Sequence, residues 1–144
     1  MSAPAFEFVD DVTSDLSFVA RGADLSALFG AASEALLAAT VRDPRAVSPA
    51  RRLPVALEEP DAELLLLRFL GELIFLRDAR GLLLRAGDLE VEAGPPARLW
   101  GELVGEPADP ARHALESDVK AATAHGLRVA PTATGFEARV TLDV

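Results

Sequence analysis

The sequence predicts an α+β fold, in which two main helices pack against a mostly antiparallel or mixed sheet. Its 144 residues fit one domain, and half of them are hydrophobic, so a domain of this size can bury a core. Two stretches in the first half of the chain carry apolar residues at helical spacing. From Gly81 onwards, most of the chain alternates with a period of two, which is typical of strands. Residues 1–144 are therefore expected to form a single domain.

Two short strands and a helix are predicted at the start of the chain. Residues 6–9 and 16–21 are short apolar or alternating runs on either side of the polar residues 10–15. They are interpreted as two strands around a turn, or as one interrupted strand. Residues 23–41 repeat apolar side chains at helical spacing, which predicts a helix with one apolar face. Asp24 is expected in its first turn, where a negative charge suits the helix dipole.

A second helix is predicted after a strand at residues 53–59. Pro60 suits its first position, and the helix is expected to run to about residue 76. Its residues are apolar nearly all round, so it is expected to be covered on more than one side. Arg68 and Glu72 lie four residues apart and are expected to pair on the remaining polar stripe.

Further strands are predicted in the second half of the chain. They are residues 82–85, 89–92, 98–105, 119–129 and 136–142. Segments rich in Gly, Pro and Thr at residues 94–96 and 131–135 are predicted to be turns. Two helices within a mostly antiparallel set of strands define the α+β class.

The composition excludes several classes of function. Without cysteine, the chain has no disulfide, no thiolate zinc site and no thiol nucleophile. Its opening residues do not resemble a signal peptide, and its apolar runs are far shorter than the ~20 residues of a membrane span. A cytoplasmic location is therefore expected. The net charge of −9 repels phosphate backbones, so an RNA-related role is expected to pass through a protein partner or a metal ion.

No constellation of catalytic residues is recognisable, and the chain is expected not to be an enzyme. There are no Ser, His and Asp in a recognised order, no Gly-rich phosphate loop and no two histidines at metal-ligand spacing. His113 and His125 are the two histidines, and each is interpreted as a hydrogen-bonded surface or edge-strand residue. A small hydrolase that uses Asp15 or His125 is a weaker alternative, which would require the chain alone to turn over a substrate.

Acidic residues at the two ends of the sequence suggest a cation site. The final segment, VTLDV, stays apolar to its last residue, which favours a strand held in a sheet over a frayed terminus. The side chain of Asp143 and the α-carboxylate of Val144 would then lie together, and Asp15 joins them if the first strands pair nearby. Clustered carboxylates repel unless they share a proton or a cation, and oxygen ligands suit Ca²⁺ or Mg²⁺. By spacing alone, a solvated turn and a loose terminus are the alternative.

Four segments of the chain match a known pattern. They are FEFVDDVTSDL at residues 6–16, ELLLLRFLGELIFL at residues 63–76, GEPADPARH at residues 105–113 with VKAATAHGLRV at residues 119–129, and LDV at residues 142–144. Together they resemble the archease family over essentially the whole chain, and the third segment is specific. The resemblance implies a single archease-like domain.

The resemblance also implies a function and a set of residues. Archeases are non-catalytic partners of RtcB-type RNA ligases, which join a 3′-phosphate or 2′,3′-cyclic phosphate end to a 5′-hydroxyl end. Archease promotes guanylylation of the ligase and restores multiple turnover in tRNA splicing or RNA repair. The family carries a bound divalent metal, commonly calcium, and its ligands map to Asp15, Asp143 and Val144. This implies a divalent metal in this chain, expected to be Ca²⁺, with Mg²⁺ or Mn²⁺ as alternatives. Lys120 and His125 are candidate contacts to the ligase or to its nucleotide.

Two positions depart from the family pattern. Val12 stands where the family has a histidine, with an extra residue nearby from the Asp10-Asp11 pair, and Ala124 stands where it has a tyrosine. Contacts that these side chains make in other archeases would be made differently here. The competing hypothesis is a chaperone-like folding or stability factor without specific metal chemistry. Such a factor would bind partners through apolar surface and would tolerate Asp15→Ala.

Overall fold

The computed structural model describes residues 5–9 and 15–144. Most of the predicted turn at residues 10–15 lies outside these ranges, as do Asp10, Asp11 and Val12. The described elements are β1 (Phe6–Val9), β2 (Asp15–Gly22), α1 (Leu25–Thr40), a short 3-10 helix (Pro44–Ala46), β3 (Arg51–Glu59), α2 (Ala62–Arg80), β4 (Leu82–Glu92), β5 (Ala97–Pro107), β6 (Ala121–Thr132) and β7 (Gly135–Asp143).

The seven described strands form two sheets, and every pairing among them is antiparallel. The first sheet has the order β1-β2-β7-β6, and the second has the order β3-β5-β4. The prediction of an α+β fold with two main helices is confirmed, with the strands divided between two sheets. Because β7 pairs with β2, the last strand of the chain lies beside one of the first.

Both helices contact strands of both sheets. α2 packs against β6 of the first sheet and against β3 and β4 of the second. Its side chains Leu65, Phe69 and Leu70 are fully buried in the shared core. The prediction that α2 is covered on more than one side is therefore confirmed. Among the described residues, no helix is long and apolar enough to cross a membrane.

Both helices begin later than predicted, each directly after an aspartate that caps its N-terminus. Asp24 and Asp61 are N-caps, and each carboxylate accepts a hydrogen bond from the backbone N–H three residues later, at 2.8 and 2.9 Å. Placing Asp24 in the first turn and Pro60 at the first helical position was wrong, because the capping aspartate fixes the start. α2 also continues to Arg80, where Gly81 adopts a left-handed φ of 65° and ends the helix.

Two details of the strands and their neighbours also differ. Residues 82–85 and 89–92 form one strand, β4, with an irregular register between the two runs. Arg68 pairs with Glu59 at 3.1 Å, not with Glu72. An exposed pair on one helix contributes only about 0.3–0.5 kcal/mol, so a partner from a neighbouring strand readily replaces it.

Side chains of both helices cover the outer strands of the sheets. Ser33 and Ser26 of α1 accept hydrogen bonds from backbone N–H groups of β4, each at 3.0 Å. Glu63 of α2 accepts one from a backbone N–H of β6 at 2.9 Å. These contacts satisfy donors that an edge strand would otherwise present to other chains.

Candidate metal centre

The pairing of β2 with β7 places Asp15 directly opposite Asp143. Directly opposed side chains lie on the same face of a sheet, with Cβ atoms about 4.5–5.5 Å apart. The next pair on this face is Ser17 and Thr141, which are buried and whose hydroxyl oxygens are 2.9 Å apart. Strand pairing therefore brings acids from the two ends of the sequence together on the outer face of the first sheet, the face opposite the hydrophobic core.

The hydrophobic pattern fixes the register of this pairing. Phe18 faces Val140 on the core side, and Leu142 faces Leu16 there. Because side chains alternate along a strand, a slip of one residue would move Asp143 into the core and expose Leu142. The position of the acid pair thus follows from the burial of its apolar neighbours.

The groups at this position are oxygen donors, which suits a hard cation such as Ca²⁺. Asp143 is exposed and Asp15 is half-buried, and neither side chain forms an ion pair with a described residue. Val144 follows Asp143 and packs partly against the core, so an α-carboxylate there would bring further oxygens beside the pair.

Side chains alone do not complete a metal site. Within residues 5–9 and 15–144, no group of three or more His, Cys, Asp or Glu could hold a metal ion. A cation at Asp15 and Asp143 would therefore need more oxygen ligands, from the α-carboxylate of Val144, from water or from a partner. The donor chemistry fits, and metal binding by these three residues stays a prediction.

Lys120 lies beside the acid pair. Its backbone N–H donates to the carbonyl oxygen of Asp143 at 2.8 Å, and the next residue, Ala121, is the β6 partner of Asp143. Lys120 is exposed, and it is the only lysine in the sequence. Strand pairing thus gathers Asp15, Asp143 and Lys120 at one end of the first sheet, a proximity that the sequence reasoning did not predict for the lysine.

His125 lies further along β6, where the register with β7 breaks. Between residues 123 and 128, four residues of β6 face a single residue of β7. Gly126 within this bulge has a φ of 66°, a left-handed conformation that favours glycine. His125 is exposed on an edge strand, as predicted, and none of the side-chain hydrogen bonds or ion pairs of the described residues links it to the acid pair.

An ionic network that the sequence reasoning missed holds the loop leading to Lys120. The carboxylate of Glu106, at the end of β5, accepts hydrogen bonds from both Nη atoms of Arg112 at 2.9 and 3.0 Å. It also accepts one from the backbone N–H of Ser48 at 2.6 Å and lies 3.1 Å from Nε2 of His113. The network therefore ties the loop between β5 and β6 to the segment before β3.

The interpretation of His113 as a surface or edge-strand residue is wrong. Only 3% of it is exposed, and it lies in the loop between β5 and β6. Its Nδ1 accepts a hydrogen bond from the backbone N–H of Asp109 at 2.9 Å, so the neutral ring carries its proton on Nε2 and donates it to Glu106. A glutamate, an arginine and a histidine within the run GEPADPARH were the signal for this network.

Replacing Glu106 with glutamine is expected to lower the melting temperature more at pH 7 than at pH 2. Hydrogen bonds from Arg112, from the N–H of Ser48 and from His113 lower the pKa of Glu106 from 4.5 to about 2. A carboxylate whose pKa falls on folding stabilises the protein above its unfolded pKa, and this contribution is lost as the pH falls from about 4.5 to about 2. Thermal melts of both proteins across this range test the idea. A constant difference between them would contradict it.

Comparison with known proteins finds relatives over almost the whole chain. The model of the Archease protein family (MTH1598/TM1083) matches residues 6–144. A "Protein archease" of Archaeoglobus fulgidus is 32% identical over 139 residues, which span 96% of this chain and 98% of the relative. Another from Thermococcus gammatolerans is 35% identical over 120 residues, spanning 81% of this chain and 82% of that protein.

A solved structure has the same fold. The solution structure of Methanobacterium thermoautotrophicum protein 1598 superimposes with a TM-score of 0.82 at 30% sequence identity. The match covers 97% of this chain and 99% of that one.

Proposed function

The chain belongs to the archease family, and from this membership we propose that it is a non-catalytic activator of an RtcB-type RNA ligase. It would promote guanylylation of the ligase and its multiple turnover in tRNA splicing or RNA repair. RNA would be reached through the ligase, since a net charge of −9 opposes strong direct binding.

The observation that carries the proposal is the direct opposition of Asp15 and Asp143 on the outer face of the first sheet. Like charges placed directly opposite each other destabilise a sheet. A cation bound between the two carboxylates would remove this repulsion. We infer that Asp15, Asp143 and the α-carboxylate of Val144 hold a divalent cation, most naturally Ca²⁺, with Mg²⁺ or Mn²⁺ as alternatives. Such an ion would supply positive charge at an exposed edge that a partner can reach.

The residues of the chain would act by holding the cation and the contact residues in fixed places on the first sheet. Asp15 and Asp143 hold the cation, and the Glu106 network fixes the loop that ends at Lys120. Lys120 is a candidate contact to the ligase or its nucleotide, and so is His125 further along β6. An activator works only by binding one state of its partner better than another. A tenfold faster guanylylation requires about 1.4 kcal/mol of such preference.

The test is a guanylylation assay with a purified, folded RtcB-type ligase. The ligase is mixed with labelled GTP, with and without this chain, and the rate of the first guanylylation is measured before any RNA is added. Ligation of a broken tRNA by limiting ligase then reports turnover. The proposal expects both rates to rise, and no effect on either rate would overturn it.

The same assay separates the activator from a chaperone-like stability factor. A chaperone-like factor would help a heat-treated ligase regain activity and would leave the first guanylylation of a folded ligase unchanged. An activator would accelerate the folded ligase from the first turnover.

A further inference from the structure

The outer face of the first sheet carries a second concentration of charge, at a distance from the acid pair. Arg128 of β6 and Arg139 of β7 are direct cross-strand partners, and both are exposed. Like charges at directly opposed positions destabilise a sheet. The sheet therefore bears two exposed positive charges that repel each other.

Among the residues that the structure describes, most arginines pair with a carboxylate, and Arg128 and Arg139 do not. Nine arginines form salt bridges with Asp or Glu among the described residues. Arg128 and Arg139 form none within the described part of the chain, although acidic residues outnumber basic ones by 23 to 14. No carboxylate of the described residues pairs with either of these two adjacent guanidinium groups, which leaves both free to bind an anionic ligand.

The two arginines line a concave surface pocket. It has a volume of about 310 Å³ and is also lined by Val19, Thr132 and Glu137. Glu137 does not cancel the two charges, because its carboxylate accepts a hydrogen bond from Arg21 at 3.1 Å. Arg21 also pairs with Glu7 at 3.2 Å. The residues that line this pocket thus carry two guanidinium groups and one carboxylate, which leaves a net positive charge.

We propose that Arg128 and Arg139 together bind the phosphate group of a nucleotide, a ligand small enough to be held by this pair alone. Each guanidinium presents a planar fork of N–H donors that matches phosphate oxygens. Two such groups side by side match a ligand with several acceptor oxygens and up to two negative charges. A carboxylate carries one charge and occupies one fork, so it suits this pair less well.

This phosphate site is separate from the candidate metal centre. Both lie on the outer face, but Arg139 precedes Asp143 by four residues of β7, which is about 14 Å along a strand. The inference therefore goes beyond the proposed activator role and does not require it. It can be tested with the full chain alone, in the absence of any ligase.

The decisive variant is Arg128→Glu. It replaces two opposed positive charges with a negative charge opposite Arg139. The melting temperature is therefore expected to equal or exceed that of the wild type. Phosphate affinity is expected to fall roughly tenfold or more, as the loss of a hydrogen-bonded charge implies. Backbone amide shifts in NMR titrations with inorganic phosphate, GTP and a short RNA oligonucleotide report binding. Arg51→Glu is the matched control, because Arg51 is exposed, lies on β3 and has no salt bridge to a described residue.

The outcomes of the titrations are distinct. Saturable shifts around β6 and β7 that disappear in Arg128→Glu and persist in Arg51→Glu support the site. Binding of GTP at least as tight as that of inorganic phosphate supports a nucleotide ligand, and tighter binding of the oligonucleotide than of GTP would contradict it. The absence of saturable binding by the wild type, or equal losses in both variants, would overturn the inference. Neither result depends on whether the chain activates a ligase.

Discussion

Replacing Asp143 with asparagine is expected to lower the affinity for Ca²⁺ by at least about 100-fold and to abolish stimulation of an RtcB-type ligase. Substitutions of residues that only support metal ligands typically cost 10–100-fold in affinity, so the loss of a direct carboxylate ligand should cost at least as much. Asparagine keeps the shape and the strand position of Asp143 and removes only the charge. Calorimetric titration with Ca²⁺ and the guanylylation assay measure the two effects.

The metal-free protein provides an internal check on this experiment. Asp15 and Asp143 repel each other across the strands when no cation is present, so Asp143→Asn should melt at the same or a higher temperature than the wild type. With Ca²⁺ present, only the wild type should gain stability, because a ligand that binds the folded state alone raises the melting temperature.

A matched aspartate serves as the control for this prediction. Asp88 is exposed on β4, and Asp88→Asn makes the same change of charge in the second sheet, away from the acid pair. It should bind Ca²⁺ and stimulate the ligase like the wild type. If Asp143→Asn also retains full Ca²⁺ affinity, the proposed metal centre is wrong, whatever the assay with the ligase shows.

The sequence predicted the acid pair better than its surroundings, for a physical reason. The apolar run before Asp143 indicated a strand held in a sheet, and alternation then required Asp143 to face away from the core. The location of Lys120 beside Asp143 depends on the residue at which β6 begins to pair with β7. The pattern of apolar residues within one strand does not determine how that strand is aligned with its neighbour. The two arginines of the proposed phosphate site are partners only through the bulge in β6, which shifts the register by three residues.

The same distinction explains the errors at the helix ends and in the loop between β5 and β6. The presence of a helix can be predicted from apolar periodicity, which extends over many residues of the sequence. The residue at which the helix begins depends instead on a single capping side chain. α2 begins after Asp61, not at Pro60, because the Asp61 carboxylate accepts a hydrogen bond from a backbone N–H of the first turn. The Glu106 network joins Ser48 to a loop almost sixty residues later, so it becomes visible only when β3 and β5 pair.

Replacing Phe69 with alanine is expected to destabilise the protein by about 3–5 kcal/mol, the usual cost of deleting a buried aromatic side chain. Phe69 is fully buried in α2, and its ring centroid lies 5.9 Å from that of Phe29 in α1. Since α2 packs against strands of both sheets, a cavity at Phe69 weakens the contact that joins the two helices and the core between them. For a domain of this size, the loss corresponds to a fall in melting temperature of roughly 10–20 °C.

Phe75 supplies the control for this prediction on the same helix. It is 59% exposed, so Phe75→Ala should change the free energy of unfolding by no more than about 0.5 kcal/mol. Urea denaturation of the two variants gives the difference directly, because the same residue is deleted from one helix at a buried and at an exposed position. Equal changes in the free energy of unfolding for the two variants would mean that α2 does not pack against strands of both sheets through the face that carries Phe69. The position of β6, and with it the neighbourhood of Lys120 and Asp143, would then need to be reconsidered.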